Sequence, residues 1–169
     1  DEMGLAASIV LMQELGRAAC PLPLADAVLA NAVLAQAQGE AAAQLLASVQ
    51  SGEAIVAWAA HPPGGRVTDG ATPAGSGSFV EHGAIATHFL VATGKGEIAI
   101  VPREAAGLAI DATPGLNVPP LSQLRFTRVD TFQRVTTSFD VGTLTPLMRL
   151  LLAARATGSA GYGLELLTD

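Results

Sequence analysis

Residues 86–101 read ATHFLVATGKGEIAIV, two strand-length runs around the tetrad Thr93-Gly94-Lys95-Gly96. The runs, 86–92 and 97–101, are rich in Val, Ile and Phe, and the tetrad has the turn chemistry to fold one back antiparallel on the other. This hairpin predicts a β block, and its flanks extend the block in both directions. Upstream, Ala54-Ile55-Val56-Ala57-Trp58-Ala59 is a short apolar run broken by Pro62-Pro63-Gly64-Gly65, residues 67–76 read as a surface loop or hairpin, and Ser78-Phe79-Val80 reads as a strand. Downstream, 108–110, 123–126 and 132–136 are short strands bounded by Pro, Gly or Asp. Closely spaced short strands with turn signals predict a small antiparallel, barrel-like or sandwich domain of at least six strands between Ala54 and Thr136.

Outside this block the period changes to that of helices. A first helix carries Met3, Ala6, Ile9, Val10 and Leu15 and stops at Gly16, and Pro21-Leu22-Pro23 forces an extended corner. A second helix covers 24–37 with Asp26 in its first turn, and a third runs from Glu40 to about Val49, stopping at Ser51-Gly52. From Thr143 to Asp169, small and apolar residues recur at three- and four-residue steps, which predicts a long helix. The fold class is therefore α+β. The end of a helical domain spans 1–52, a middle β domain 53–140, and the first helix of a C-terminal helical domain 141–169. Asp1-Glu2-Met3 opens directly into a helical pattern and no stop signal follows Leu167, so the chain reads as the interior of a larger protein. Gly158, Gly161 and Gly163 inside the last helix cost about 1 kcal/mol each relative to Ala. Such a cluster predicts helices crossing at close range and an apolar stripe that self-associates or needs a partner subunit.

Composition narrows the functions. Half of the 169 residues are hydrophobic, 4% are aromatic and 14% charged, so the core is built from Ala, Val, Leu and Ile and offers no stacking platform for bases. The net charge of −6 disfavours a nucleic-acid partner. The single cysteine, Cys20, excludes an internal disulfide and reads as a small buried hydrophobe rather than a reactive thiol. His61, His82 and His88 match no metal-ligand spacing, and no metal site is expected. No run reaches the roughly 18 apolar residues that span a bilayer, so no membrane partner is expected and a cytoplasmic setting is the default reading. The glycine clusters follow no dinucleotide fingerprint.

Three stretches together resemble the acyl-CoA dehydrogenase family. Glu14-Leu15-Gly16-Arg17-Ala18-Ala19-Cys20-Pro21-Leu22-Pro23 is similar to the E-x-G-R-A-x-x-P-x-P corner of that family's N-terminal helical domain. Gly77-Ser78-Phe79-Val80-Glu81-His82-Gly83-Ala84-Ile85-Ala86 is similar to the G-x-K-x-[WF]-[IV]-x-x-G-x-x-A stretch of its middle β domain. Leu152-Ala153-Ala154-Arg155-Ala156-Thr157-Gly158, followed by Gly161 and Leu164-Glu165-Leu166, looks like the helix that opens its C-terminal domain. The resemblance implies a flavoprotein oxidoreductase of fatty acid or steroid metabolism that uses FAD. In that family a Glu removes the α proton of an acyl-CoA thioester and the β hydrogen passes as hydride to flavin N5. The cofactor supplies the redox chemistry and the protein holds it against the Cα–Cβ bond.

Carried over residue by residue, the resemblance places Trp58, Ala60, His61, Phe79, Val80 and Glu81 at the flavin. Trp58-Ala59-Ala60-His61-Pro62-Pro63-Gly64-Gly65 stands where the family has a strand ending in T-E-P-x-x-G-S-D, with Ala60 and His61 in the Thr and Glu positions. Phe79 replaces the usual Trp, Val80 fits the Ile, and Glu81 takes the place of a Thr or Ser whose hydroxyl would meet flavin N5. A carboxylate there would repel the anionic reduced flavin. Trp58 and His61 also read as a buried strand aromatic and a loop histidine, Glu81 as a solvated turn residue, and Arg149 and Arg155 as interface or solvated residues. The family's catalytic Glu falls beyond Asp169. Two functions therefore stay open: an acyl-CoA dehydrogenase acting on a steroid side chain or other bulky acyl group, or a non-catalytic subunit of a heteromeric dehydrogenase that supports a flavin-binding partner. The resemblance implies a homo- or hetero-oligomer in either case.

Overall fold

The computed structural model describes residues 2–59, 73–94, 96–115 and 118–168. Three helices come first: α1 (Glu2–Arg17), α2 (Leu24–Leu34) and α3 (Glu40–Ser51). The corner after α1 follows from Pro21 and Pro23, which cannot continue a helix, and Ala19 turns the chain with φ 48°. Gly52 ends α3 in the left-handed conformation (φ 80°), where its N–H reaches the Val49 carbonyl. Among the described residues seven strands follow, β1 (Val56–Trp58), β2 (Gly75–Glu81), β3 (His88–Gly94), β4 (Glu97–Pro102), β5 (Leu108–Ala112), β6 (Leu121–Phe126) and β7 (Gln133–Thr136). A short 3-10 turn capped by Asp140 then leads into α4 (Leu144–Thr168).

The strands form two sheets, ordered β1-β3-β4-β7 and β2-β6-β5, and do not close into a barrel. The larger sheet is buried on both faces, and the period of two sorts its side chains. Val56, Trp58, Leu90, Ile98, Ile100 and Val135 face the helices, packing with Leu29, Val33 and Leu151. Ala57, Phe89, Val91, Ala99 and Val101 face the smaller sheet and meet Val80, Leu124 and Phe126. All pairings are antiparallel except β1 with β3, which is parallel. The exception follows from connectivity, because the chain visits the other sheet as β2 between those two strands and returns in the same direction.

α4 packs along α1, and their crossing is held by two glycines. A Cβ on Gly158 would sit inside the Gln13 carbonyl, and one on Gly16 inside the Arg155 carbonyl. Ser159 Oγ donates to the Gly16 carbonyl at 2.9 Å across the same contact. The expected close crossing is thus present at Gly158, with α1 as its partner. Gly161 and Gly163 lie outside it, since a Cβ on either would meet nothing within 4 Å. Beyond the crossing, Tyr162, Leu164, Leu166 and Leu167 are exposed.

Candidate functional site

Where β2 leaves the sheet pairing toward the helices, its ladder is interrupted. Gly77 pairs with Leu124 and Val80 with Ser122, so Ser78 and Phe79 together oppose the single residue Gln123. This bulge re-aims the strand. Phe79 takes φ 58° and is 68% exposed, Val80 turns into the core between the sheets, and Glu81 points toward α4. There Arg155 donates to the Glu81 carboxylate at 2.6 Å, with only 17% and 20% of the two side chains exposed. Glu81 also lines a cavity of 100 Å³ with Asp26, Trp58, Phe79, Met148 and Leu152.

Asp26 is the one charged side chain of α2 and is 5% exposed. Its Oδ1 accepts the Trp58 backbone N–H at 2.7 Å, which ties α2 to β1. Burial pushes the carboxyl up to about 7, with the Glu81 charge adding to the rise, while the Trp58 N–H and Arg155 oppose it. Next along the chain, His82 (φ 58°) is buried and its Nε2–H donates to the Pro21 carbonyl at 2.6 Å, joining β2 to the α1–α2 corner. Arg155 also lines a second cavity, of 160 Å³, with Cys20, Pro21 and Ser159. Cys20 is half-buried there rather than enclosed in the core. The guanidinium of Arg155 thus borders one cavity while its Glu81 partner lines the other.

Of the residues that the sequence placed at a flavin, Trp58, Phe79, Val80 and Glu81 line one cavity; Ala60 and His61 lie outside the described residues. Glu81 is not a solvated turn residue but the paired, largely buried last residue of β2, and Arg155 is its partner rather than a solvated side chain. Arg149 is exposed. Sequence reasoning missed Asp26 as a site residue, although a lone acid on an otherwise apolar helix was a signal of burial with a specific partner. Among the described residues no group of His, Cys, Asp or Glu is placed to hold a metal. No helix among them is long and apolar enough to cross a membrane.

The architecture just described matches solved structures along nearly its whole length. A variant of the Tcur3481-Tcur3483 steroid acyl-CoA dehydrogenase is 25% identical, with a TM-score of 0.79 over 96% of this chain and 48% of that one. The chain has the acyl-CoA dehydrogenase fold. An acyl-CoA dehydrogenase from Slackia heliotrinireducens matches at 24% identity and TM-score 0.71 over 95% of this chain and 49% of that one. The ChsE4-ChsE5 complex from Mycobacterium tuberculosis matches at 20% and 0.76, covering 96% and 48%. This acyl-CoA dehydrogenase fold thus spans about half the length of the structures it matches. A nitrososynthase from Micromonospora carbonacea var. africana shares the fold at 21% identity and TM-score 0.68, over 94% of this chain and 46% of that one, so architecture alone does not set the reaction. No protein-family model matches the sequence, and no curated protein does.

The acyl-CoA dehydrogenase fold implies FAD, and the described residues can be tested for fit. They do not fit a flavin ring at the bulge. Glu81, which the resemblance puts where a hydroxyl would meet N5, is a carboxylate already satisfied by Arg155, and the Trp58 N–H is already taken by Asp26.

Proposed function

We propose that this protein takes part in the FAD-dependent α,β-dehydrogenation of an acyl-CoA thioester with a bulky, steroid-like acyl group, as a subunit of an acyl-CoA dehydrogenase oligomer. One observation carries the reading: the helix–β–helix architecture matches a steroid acyl-CoA dehydrogenase over 96% of the chain at 25% identity. The paired Tcur3481-Tcur3483 enzyme and the ChsE4-ChsE5 complex support assembly from unequal chains. In this organisation residues 1–52 end one helical domain, 53–140 form the middle β domain, and 141–169 begin a second helical domain. The chain's own residues contribute a packed sheet face, the bulge at Phe79 and the exposed apolar end of α4 to the assembly.

A second reading, in which this chain is itself the flavoenzyme, is favoured by Phe79. The bulge holds that aromatic 68% exposed at the position where the resemblance puts a flavin-facing ring. Incubating the purified protein, alone and with candidate partner chains, with steroid-side-chain and fatty acyl-CoA thioesters and an electron acceptor tests the reading. The expected product is the enoyl thioester, lighter by two hydrogens in mass spectrometry. Unchanged thioester under every combination sinks it.

A further inference from the structure

The bulge, the ion pair and the buried acid converge from three elements that are distant in sequence. β2 supplies Glu81, α4 supplies Arg155, and α2 supplies Asp26, whose carboxyl holds the β1 backbone at Trp58. Among the described residues, Asp26 and Glu81 are the charged side chains that line the cavity beside the pair. Arg155, reaching across from α4, lines a separate neighbouring cavity with Cys20 and Pro21. Charge explains why the cluster holds together. Glu81 and Arg155 neutralise each other at 2.6 Å with little water around them. Removing either alone would leave a largely buried charge uncompensated, so the pair persists as a unit.

We infer that the Arg155–Glu81 pair, backed by Asp26, stands where a flavin ring would lie and closes that position, so that the flavin ring of the assembly is held by a partner chain. This inference rests on the acyl-CoA dehydrogenase reading. The pair is an electrostatic clasp: it ties α4 to β2 and places a carboxylate where a reduced, anionic ring would have to sit. The partner is therefore a chain of similar fold whose corresponding position carries a neutral hydroxyl.

Trp58, the single tryptophan of the chain, lines the closed cavity and reports on it directly. FAD is titrated into the purified protein, with and without its flavin-bearing partner, and the Trp58 emission is isolated by subtracting a Trp58→Phe variant. The expected result is no saturable quenching at micromolar FAD. A Glu81→Thr, Arg155→Met double variant that keeps the wild-type circular dichroism is expected to bind FAD at least tenfold more tightly, seen as saturable quenching of Trp58. Saturable quenching in the wild type overturns the inference, and so does a folded double variant as unresponsive as the wild type. Failure of the function itself is seen separately. If no acyl-CoA thioester reduces flavin in the assembly, the dehydrogenase reading falls, while the Trp58 titrations still judge whether the pair excludes the ring.

Discussion

Replacing Asp26 with Asn should stabilise the protein, and by an amount that depends on pH. The folded-state carboxyl titrates at about 7 against an ordinary 3.8, because burial penalises its charge more than the Trp58 N–H and Arg155 favour it. The folded protein therefore holds this proton more tightly than the unfolded chain. Stability from this group is full below about pH 4, falls as pH rises toward 7, and levels off above. A difference of about 3 pK units corresponds to roughly 4 kcal/mol over the whole span. Asn keeps an oxygen for the Trp58 N–H and cannot ionise, so it mimics the neutral acid. Its advantage over the wild type should be roughly 4 kcal/mol near pH 8 and less than half of that near pH 5. Asp26→Ala separates charge from hydrogen bonding, since it orphans the Trp58 N–H at a cost of about 1–3 kcal/mol at every pH. Urea unfolding of the three proteins across this range, followed by far-ultraviolet circular dichroism, gives the comparison. Parallel pH curves for the wild type and Asp26→Asn would refute the burial argument.

The two kinds of glycine in α4 make opposite predictions. Gly158→Ala forces α4 off the Gln13 carbonyl and should cost roughly 2 kcal/mol or more, whereas Gly161→Ala has open space and should stabilise by about 1 kcal/mol; melting temperatures of both variants check this. Arg155→Met leaves Glu81 unpaired in a largely enclosed site and should cost about 2–4 kcal/mol, most of it recovered when Glu81→Leu is added, as a double-mutant cycle would measure. Changing Leu164, Leu166 and Leu167, all more than 60% exposed, to Ser should leave the fold intact and weaken assembly in sedimentation velocity.

Much of this architecture was legible because it is local. The tetrad at 93–96 and the runs beside it encode the β3–β4 hairpin, the prolines at 21 and 23 encode the corner, and Gly52 encodes the end of α3. The parallel pairing of β1 with β3 was not legible, since nothing within Val56–Trp58 records that β2 departs to another sheet. The charge cluster was hidden for the same reason. Asp26, Glu81 and Arg155 are separated by more than fifty residues at each step, and periodicity along one element says nothing about what another brings against it. Glu81 looked like a turn residue because His82 and Gly83 follow it. Only the bulge at Ser78-Phe79, which no residue pattern announces, turns it toward α4. Of the three glycines in α4, the sequence could not separate Gly158 from Gly161 and Gly163, because which of them meets α1 depends on where the two helices cross.

The central claim is that this chain works on acyl-CoA thioesters within a flavin-dependent dehydrogenase. It is tested most directly by mixing a steroid-side-chain acyl-CoA anaerobically with the flavin-bearing partner, with and without this protein, and following the visible flavin absorbance in a stopped-flow instrument. The account predicts rapid bleaching when both chains are present and little when this chain is left out. Bleaching of equal rate and extent without it, or none in any combination, would contradict the account.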